Sequence, residues 1–159
     1  MARWCEIEAA EPELAQAARD LFDRNKHKVL ATLRRDGSPR VSGIETEFTD
    51  GDVWLGMMPG SRKARDLRRD PRLALHTAVM MPPDAPSGWP GDAKLAGRAV
   101  EVIDPAVLAR FVADNSPPDF HLFRIDITEL VVTRVGEPAD HLVIDAWHEG
   151  RGRRQLTRR

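Results

Sequence analysis

Gly60-Ser61-Arg62-Lys63-Ala64 brings a helix-capping serine and two cations to the point where an apolar strand gives way to a helix. The strand is read over Val53 to Met58, the break at Pro59-Gly60, and the helix over Ser61 to Asp70, where Pro71 stops it. The first turn of a helix carries amide N–H groups without intrahelical partners and a partial positive charge, so an anion is favoured there. Arg62 and Lys63 run against the usual preference for acidic residues at that end, which points to a phosphate-sized anion as the missing compensation. Charge-assisted hydrogen bonds contribute roughly 1.5–3 kcal/mol each, so three or four of them hold one phosphate at about micromolar affinity. The competing reading is a solvated basic helix face, since Arg65, Arg68 and Arg69 continue the charge and Asp66 and Asp70 interleave with it. A Walker-type loop does not fit, because Ser61 and Arg62 separate the glycine from the lysine.

Other chemistries find less support. His27, His76, His121, His141 and His148 have none of the short pairings of a zinc site, and the single Cys5 cannot join them, so no metal is expected. No GxSxG surrounds a serine, which argues against serine hydrolysis. Glu45 and Glu47 fall on one face of a strand by its period of two, a placement more usual for solvated carboxylates than for catalytic ones. Trp54, Trp89 and Trp147 could stack on a flat ring, Trp147 being favoured by its place before a basic end; Trp4 has no assigned role.

The 159 residues fit one domain with one core. A net charge of −1 hides 20 arginines against 4 lysines and gives no whole-protein case for nucleic acid. One cysteine, an acidic start and no apolar run long enough to cross a bilayer lead us to expect a cytoplasmic protein without a membrane span.

The elements that must position the phosphate-like site are mostly strands. A helix over Pro12 to Arg24 carries Leu14, Ala17, Ala18, Leu21 and Phe22 at helical spacing, within an N-terminal segment 1–26. Lys28 to Leu33 and Val41 to Phe48 form a hairpin across Asp36-Gly37, and Asp50-Gly51 turns into the third strand. Arg72 to Val79, Ala93 to Ile103, His121 to Val135 and Leu142 to Trp147 supply further strands, with a Pro/Gly loop over Met81 to Asp92 and a short helix over Pro105 to Asp114. The residues from 148 to 159 read as a free basic tail. Six or seven strands with few helices call for a closed or nearly closed antiparallel barrel.

This order of features resembles the pyridoxamine 5′-phosphate oxidase superfamily, the FMN-binding split barrels. The resemblance runs from about His27 to Arg159 and rests on the hairpin through Asp36-Gly37-Ser38-Pro39-Arg40, on Gly60 to Ala64 with Asp70-Pro71-Arg72, and on Trp147 before an arginine-rich end. It implies a mainly β fold of six or seven antiparallel strands and a homodimer with cofactor at its interface. It also implies a flavin-dependent oxidoreductase moving a hydride to or from a small organic substrate. Arg62 and Lys63, with Ser61, then hold the flavin phosphate; Met57 and the backbone of Ser42, Gly43 and Ile44 line the ring. Gly43 fits independently, since a glycine within a strand lets a ligand approach the backbone. Trp147 and Arg153 (or Arg154) reach the site of the second subunit. The chain lacks the histidine of the oxidase's Arg-x-His clamp, so the resemblance stops short of pyridoxamine phosphate oxidation. FMN and the deazaflavin coenzyme F-420 both satisfy it, Arg65 and Arg69 being available to the acidic tail of the latter. Two other readings stay open, a non-catalytic flavin carrier and a polyanion-binding domain.

Overall fold

The computed structural model describes residues 1–81, 83–112, 117 and 119–159. Two helices open the chain, α1 (Trp4–Ala10) and α2 (Pro12–Asp23), and the hairpin β1 (His27–Leu33) and β2 (Pro39–Glu45) follows. Next come β3 (Glu47–Thr49), β4 (Asp52–Met57), helix α3 (Arg62–Arg69) and β5 (Arg72–His76). The remainder is β6 (Asp92–Val102), the single turn α4 (Pro105–Leu108), β7 (His121–Val135), β8 (Leu142–His148) and β9 (Gly152–Arg158). The fold is a mainly β split barrel whose strands run in the order β2-β1-β5-β6-β7-β4-β3, with β8 and β9 branching from β7.

Turn chemistry sets the hairpins where the sequence places them. Gly37, Asp50 and Gly51 all adopt positive φ, at 82°, 52° and 75°, which glycine and aspartate tolerate best. Strand β7 is the spine: its first residues pair with β4, its last with β8, and nearly its whole length with β6. The β6–β7 ladder shifts register between Ala96 and Gly97. A Cβ at Gly97 would stand 2.2 Å from the Asp126 carbonyl oxygen, so only glycine allows this irregularity and the bend it gives the sheet.

Four expectations change. Among the described residues the sheet has nine strands, not six or seven. The run Val41 to Phe48 is broken at Thr46 into β2 and β3, and the strand after Pro71 ends at His76. The basic tail is not free, because all of β9 is laddered onto β8, from His148↔Gly152 to Leu142↔Arg158. Its main-chain hydrogen bonds need no apolar alternation, and Arg153 ties it down by ion pairs to Asp145 (2.6 Å), Glu11 and Glu13. Ahead of the expected helix the chain forms α1, which the sequence reading did not include: the Arg3 amide donates to Glu6 Oε2 at 2.6 Å to open it, and Trp4 and Ile7 enter the core. Trp4 meets Phe48 edge-on at 4.8 Å between ring centroids. The helix expected over Pro105 to Asp114 comprises α4 and a 3₁₀ turn through Phe111; its end at 113–114 lies outside the described residues, as do Pro82 and Pro118 of the proline-rich breaks.

Helix α3 presents Ala64 and Leu67 to the core, but a buried carboxylate fixes its seat. Asp66, 3% exposed, accepts from Arg40 Nε at 2.6 Å, Arg69 Nη2 at 3.0 Å and the Thr32 hydroxyl at 3.0 Å, which binds the helix to β1 and β2. Burial alone pushes this carboxyl up; the hydrogen bonds from Arg40, Arg69 and Thr32 outweigh it and leave the pKa below the ordinary range. A pKa depressed by folding contributes stability above the unfolded value, about 3.9 for aspartate, and that contribution is lost as pH falls through the folded value. Asp66→Asn is therefore expected to cost about 3 kcal/mol at neutral pH by leaving two arginines short of a partner. Urea denaturation will show the gap between variant and wild type narrowing as the pH falls below the ordinary aspartate value of about 3.9.

Candidate functional site

Strands β2 and β4 form the floor of a cleft of about 820 Å³, with helix α3 at one end. Gly43 of β2 and Gly56 of β4 both line it, and at neither would a Cβ have any heavy atom within 4 Å. The floor is thus bare backbone at two points, flanked by Ile44 and Met57. Trp54 and Phe111, 4.9 Å apart between ring centroids, make an aromatic wall with Phe120 and Leu122. Such a space joins aromatic and aliphatic walls to a small set of polar and charged groups, Glu45 and Glu47 among them, the usual composition of a site for an organic ligand.

The α3 end is cationic. Ser61 occupies the N-cap position, as expected, yet its side chain makes no capping hydrogen bond, and no acidic residue stands in the first turn. Lys63 Nζ donates to the Gly43 carbonyl oxygen at 2.6 Å, and burial lowers its pKa. Among the described residues it has no carboxylate partner. A desolvated ammonium that faces a cleft beside uncapped helix amides is a place for an anionic group.

Arg62, one residue away, turns to a different side of α3. There it joins Arg65 and Arg69 of the helix and Arg34, Arg35 and Arg40 of the β1–β2 hairpin around a second cavity of about 550 Å³. Asp66 and Asp36 are the carboxylates of that groove. The helix N-terminus therefore separates the aromatic cleft from the arginine groove, and consecutive residues serve one each.

Of the residues expected at the site, Ser61, Lys63, Met57, Gly43 and Ile44 converge on the cleft and Arg62 lines the adjoining groove. Ser42 does not line the cleft; its hydroxyl is buried without a hydrogen-bond partner. Trp147 lies in the core of its own chain, opposite Leu130, and Arg153 is held by Asp145, Glu11 and Glu13. Sequence reasoning passed over Gly56, although a glycine inside a strand gave the same signal as Gly43. Trp54, one of three tryptophans expected to be able to stack on a flat ring, lines the cleft. Sequence reasoning also passed over Phe111, Phe120 and Lys28, the last because a lysine on the inward face of a strand breaks the pattern being sought.

Lining a barrel cleft with backbone at Gly43 and Gly56 and ending it in a helix start defines a ligand-binding split barrel. The family model for pyridoxamine 5′-phosphate oxidase matches residues 14–134, and the chain belongs to that family. No curated protein matches significantly. Solved structures share the fold. A pyridoxamine 5′-phosphate oxidase-related, FMN-binding protein from Nostoc punctiforme is 15% identical, with 100% of this chain and 98% of that one covered and a TM-score of 0.66. PhzG from Burkholderia lata, in complex with tetrahydrophenazine-1-carboxylic acid, is 17% identical over 96% and 91% of the two chains, with a TM-score of 0.63. An F420 reductase is 21% identical over 70% and 94%, with a TM-score of 0.53.

The open space at Gly43 and Gly56 makes the cleft testable without harm to the fold. Gly43→Val and Gly56→Val are expected to melt at or slightly above the wild-type temperature, gaining up to about 1 kcal/mol from the lower chain entropy of a residue suited to strands. Each side chain occupies the floor, so a planar ligand seated on it is expected to bind at least about tenfold more weakly than to the wild type, which a ligand titration of the three proteins checks.

Proposed function

We propose that this protein is a flavin-dependent oxidoreductase that binds its cofactor with the ring on Gly43 and Gly56 and the phosphate at Ser61, Arg62 and Lys63. The observation that carries the reading is Lys63, a desolvated cation without a carboxylate partner among the described residues, set at the end of a bare-backbone floor. The solved FMN-binding protein from Nostoc punctiforme supports the same cofactor class on the same fold. Bound there, a flavin supplies hydride transfer to or from a small organic substrate. The chain's own groups do the rest: Lys63 and the amides of α3 anchor, Gly43 and Gly56 admit the ring, and Trp54, Phe111 and Phe120 shield it from water. No side chain in the cleft is assigned as an obligatory acid or base.

The arginine groove favours a second form of this reading, in which the cofactor is the deazaflavin F-420. Six arginines against two aspartates exceed what one phosphate requires, and a cofactor with an acidic tail would cross from Lys63 past Arg62 into that groove. The F420 reductase among the fold relatives is consistent with it. The proposal includes a cytoplasmic homodimer, as the family resemblance implies. Arg154, exposed on β9, is freer than Arg153 to reach a second copy's cleft together with the Trp147 end of β8.

Titration of the purified protein with FMN and with F-420 tests the cofactor. Micromolar or tighter binding of either is expected, and a protein that takes up neither overturns the reading. Arg62→Ala with Lys63→Ala will weaken binding by about a hundredfold or more, two charge-assisted contacts being lost. Arg65→Ala with Arg69→Ala separates the two cofactors. It will weaken F-420 by at least about tenfold at low salt while leaving FMN nearly unchanged if the tail occupies the groove. Turnover of reduced nicotinamide with a dye acceptor distinguishes an enzyme from a carrier, and light scattering at micromolar concentration reports the dimer.

A further inference from the structure

The cleft holds a second buried cation that the anchoring of a phosphate does not use. Lys28 of β1 is only 5% exposed and is the first inward-facing residue of its strand, followed on that face by Leu30, in ladder register with Ile44. It lines the same cleft as Lys63, which donates to the carbonyl of Gly43 on the neighbouring strand β2. The two lysines thus stand at the partners of consecutive residues of β2, Ile44 and Gly43.

Inward lysines are uncommon because the charge must be removed from water, and they are normally paired. Lys28 forms no ion pair among the described residues. Its Nζ donates to the Asn25 carbonyl oxygen at 2.5 Å and the Lys26 carbonyl oxygen at 3.2 Å, which uses two of three ammonium protons. The charged groups around it are Asp23 and Glu45, which favour the ammonium, and Arg19, which opposes it; burial outweighs them and lowers its pKa. The carbonyl contacts account for a lysine as a cap on the turn after α2. They do not account for its place in the wall of the cleft with one proton left over.

We propose that Lys28 is the electrostatic partner of the reduced cofactor, a fixed positive charge that favours the two-electron-reduced ring over the oxidised one. This rests on the flavin reading above. Uptake of two electrons and one proton gives the ring a negative charge, and a buried cation in the cleft wall stabilises that form without touching it. The oxidised ring of FMN is neutral and gains little. Lys28 therefore sets the direction in which the bound ring prefers to hold electrons, whereas Lys63 holds the phosphate equally in both states.

The test is the midpoint potential of bound FMN, equilibrated with a reference dye during slow enzymatic reduction, in the wild type, Lys28→Gln and Lys28→Arg. Glutamine can still donate to the Asn25 and Lys26 carbonyls but carries no charge; arginine keeps the charge. In Lys28→Gln the affinity for reduced relative to oxidised FMN is expected to fall at least about tenfold, a drop of about 30 mV for a two-electron couple, with oxidised FMN bound as in the wild type. Lys28→Arg will stay near the wild-type potential. Equal potentials in all three proteins, each loaded and folded by its melting curve, overturn the role of Lys28 and leave the flavin reading intact. Should Lys28→Gln fail to fold, Lys28→Arg against Lys28→Met provides the same comparison. A wild type that binds neither FMN nor F-420 overturns both, with F-420 replacing FMN in the measurement if it alone binds.

Discussion

Almost everything at the cleft depends on one buried carboxylate. Asp66 has no apolar reason to be inside, yet it gathers Arg40 from β2, Arg69 from its own helix and the Thr32 hydroxyl from β1. This knot decides where α3 sits against the hairpin, and hence that Lys63 reaches the Gly43 carbonyl while Arg62 faces away. Leu67 and Ala64 alone would permit the helix to slide, since dispersion and burial are not directional. Directed hydrogen bonds from two different strands do not allow that. The first turn of α3 is held in place by a residue on its inward side, so its outward donors are left for something else.

The two cavities beside that helix both hold more cations than carboxylates but partner them differently. In the arginine groove Asp66 is shared by two guanidinium groups. In the cleft Glu45 pairs with Lys26, whereas Lys28 and Lys63 lean on backbone carbonyls, which carry only partial charge. Neutralising an ammonium with dipoles leaves its positive field in place. A protein with a formal charge of −1 overall thus concentrates positive charge at both of these concave surfaces, most of all in the arginine groove.

Much of this could be read from the sequence because local rules and tertiary packing agree. Asp36-Gly37 and Asp50-Gly51 turn where positive φ is needed, Pro71 follows the end of α3, and the alternation of His121 to Val135 gives β7 with its observed limits. The misses have physical causes. Helix α1 offers only Trp4 and Ile7 to the core, too few apolar residues to show a period. Strand β9 is almost wholly exposed and polar, and its order comes from a main-chain ladder and from Arg153, whose partners lie far away in sequence at Glu11 and Glu13. At the site, a helix start with cations and a glycine in a strand could be recognised one at a time. That Arg62 and Lys63 serve different cavities follows from the roughly 100° between successive helical side chains, but only once Asp66 has fixed which side faces inward. Lys28 could not be found by a search for apolar alternation, because it occupies an inward place where alternation fails.

The role of β7 as spine bears on the order in which the molecule assembles. Ladders β7–β8 and β8–β9 join neighbours along the chain and close short loops. Among paired strands, β4 and β7 are the farthest apart in sequence, so their contact carries the greatest loop-closure entropy and is the slowest to be rewarded. Strand β4 carries Gly56 and one side of the cleft floor. The C-terminal meander can therefore form as a local unit, whereas the cleft exists only after the most distant ladder has closed, which makes ligand-binding competence the last property the folding chain acquires.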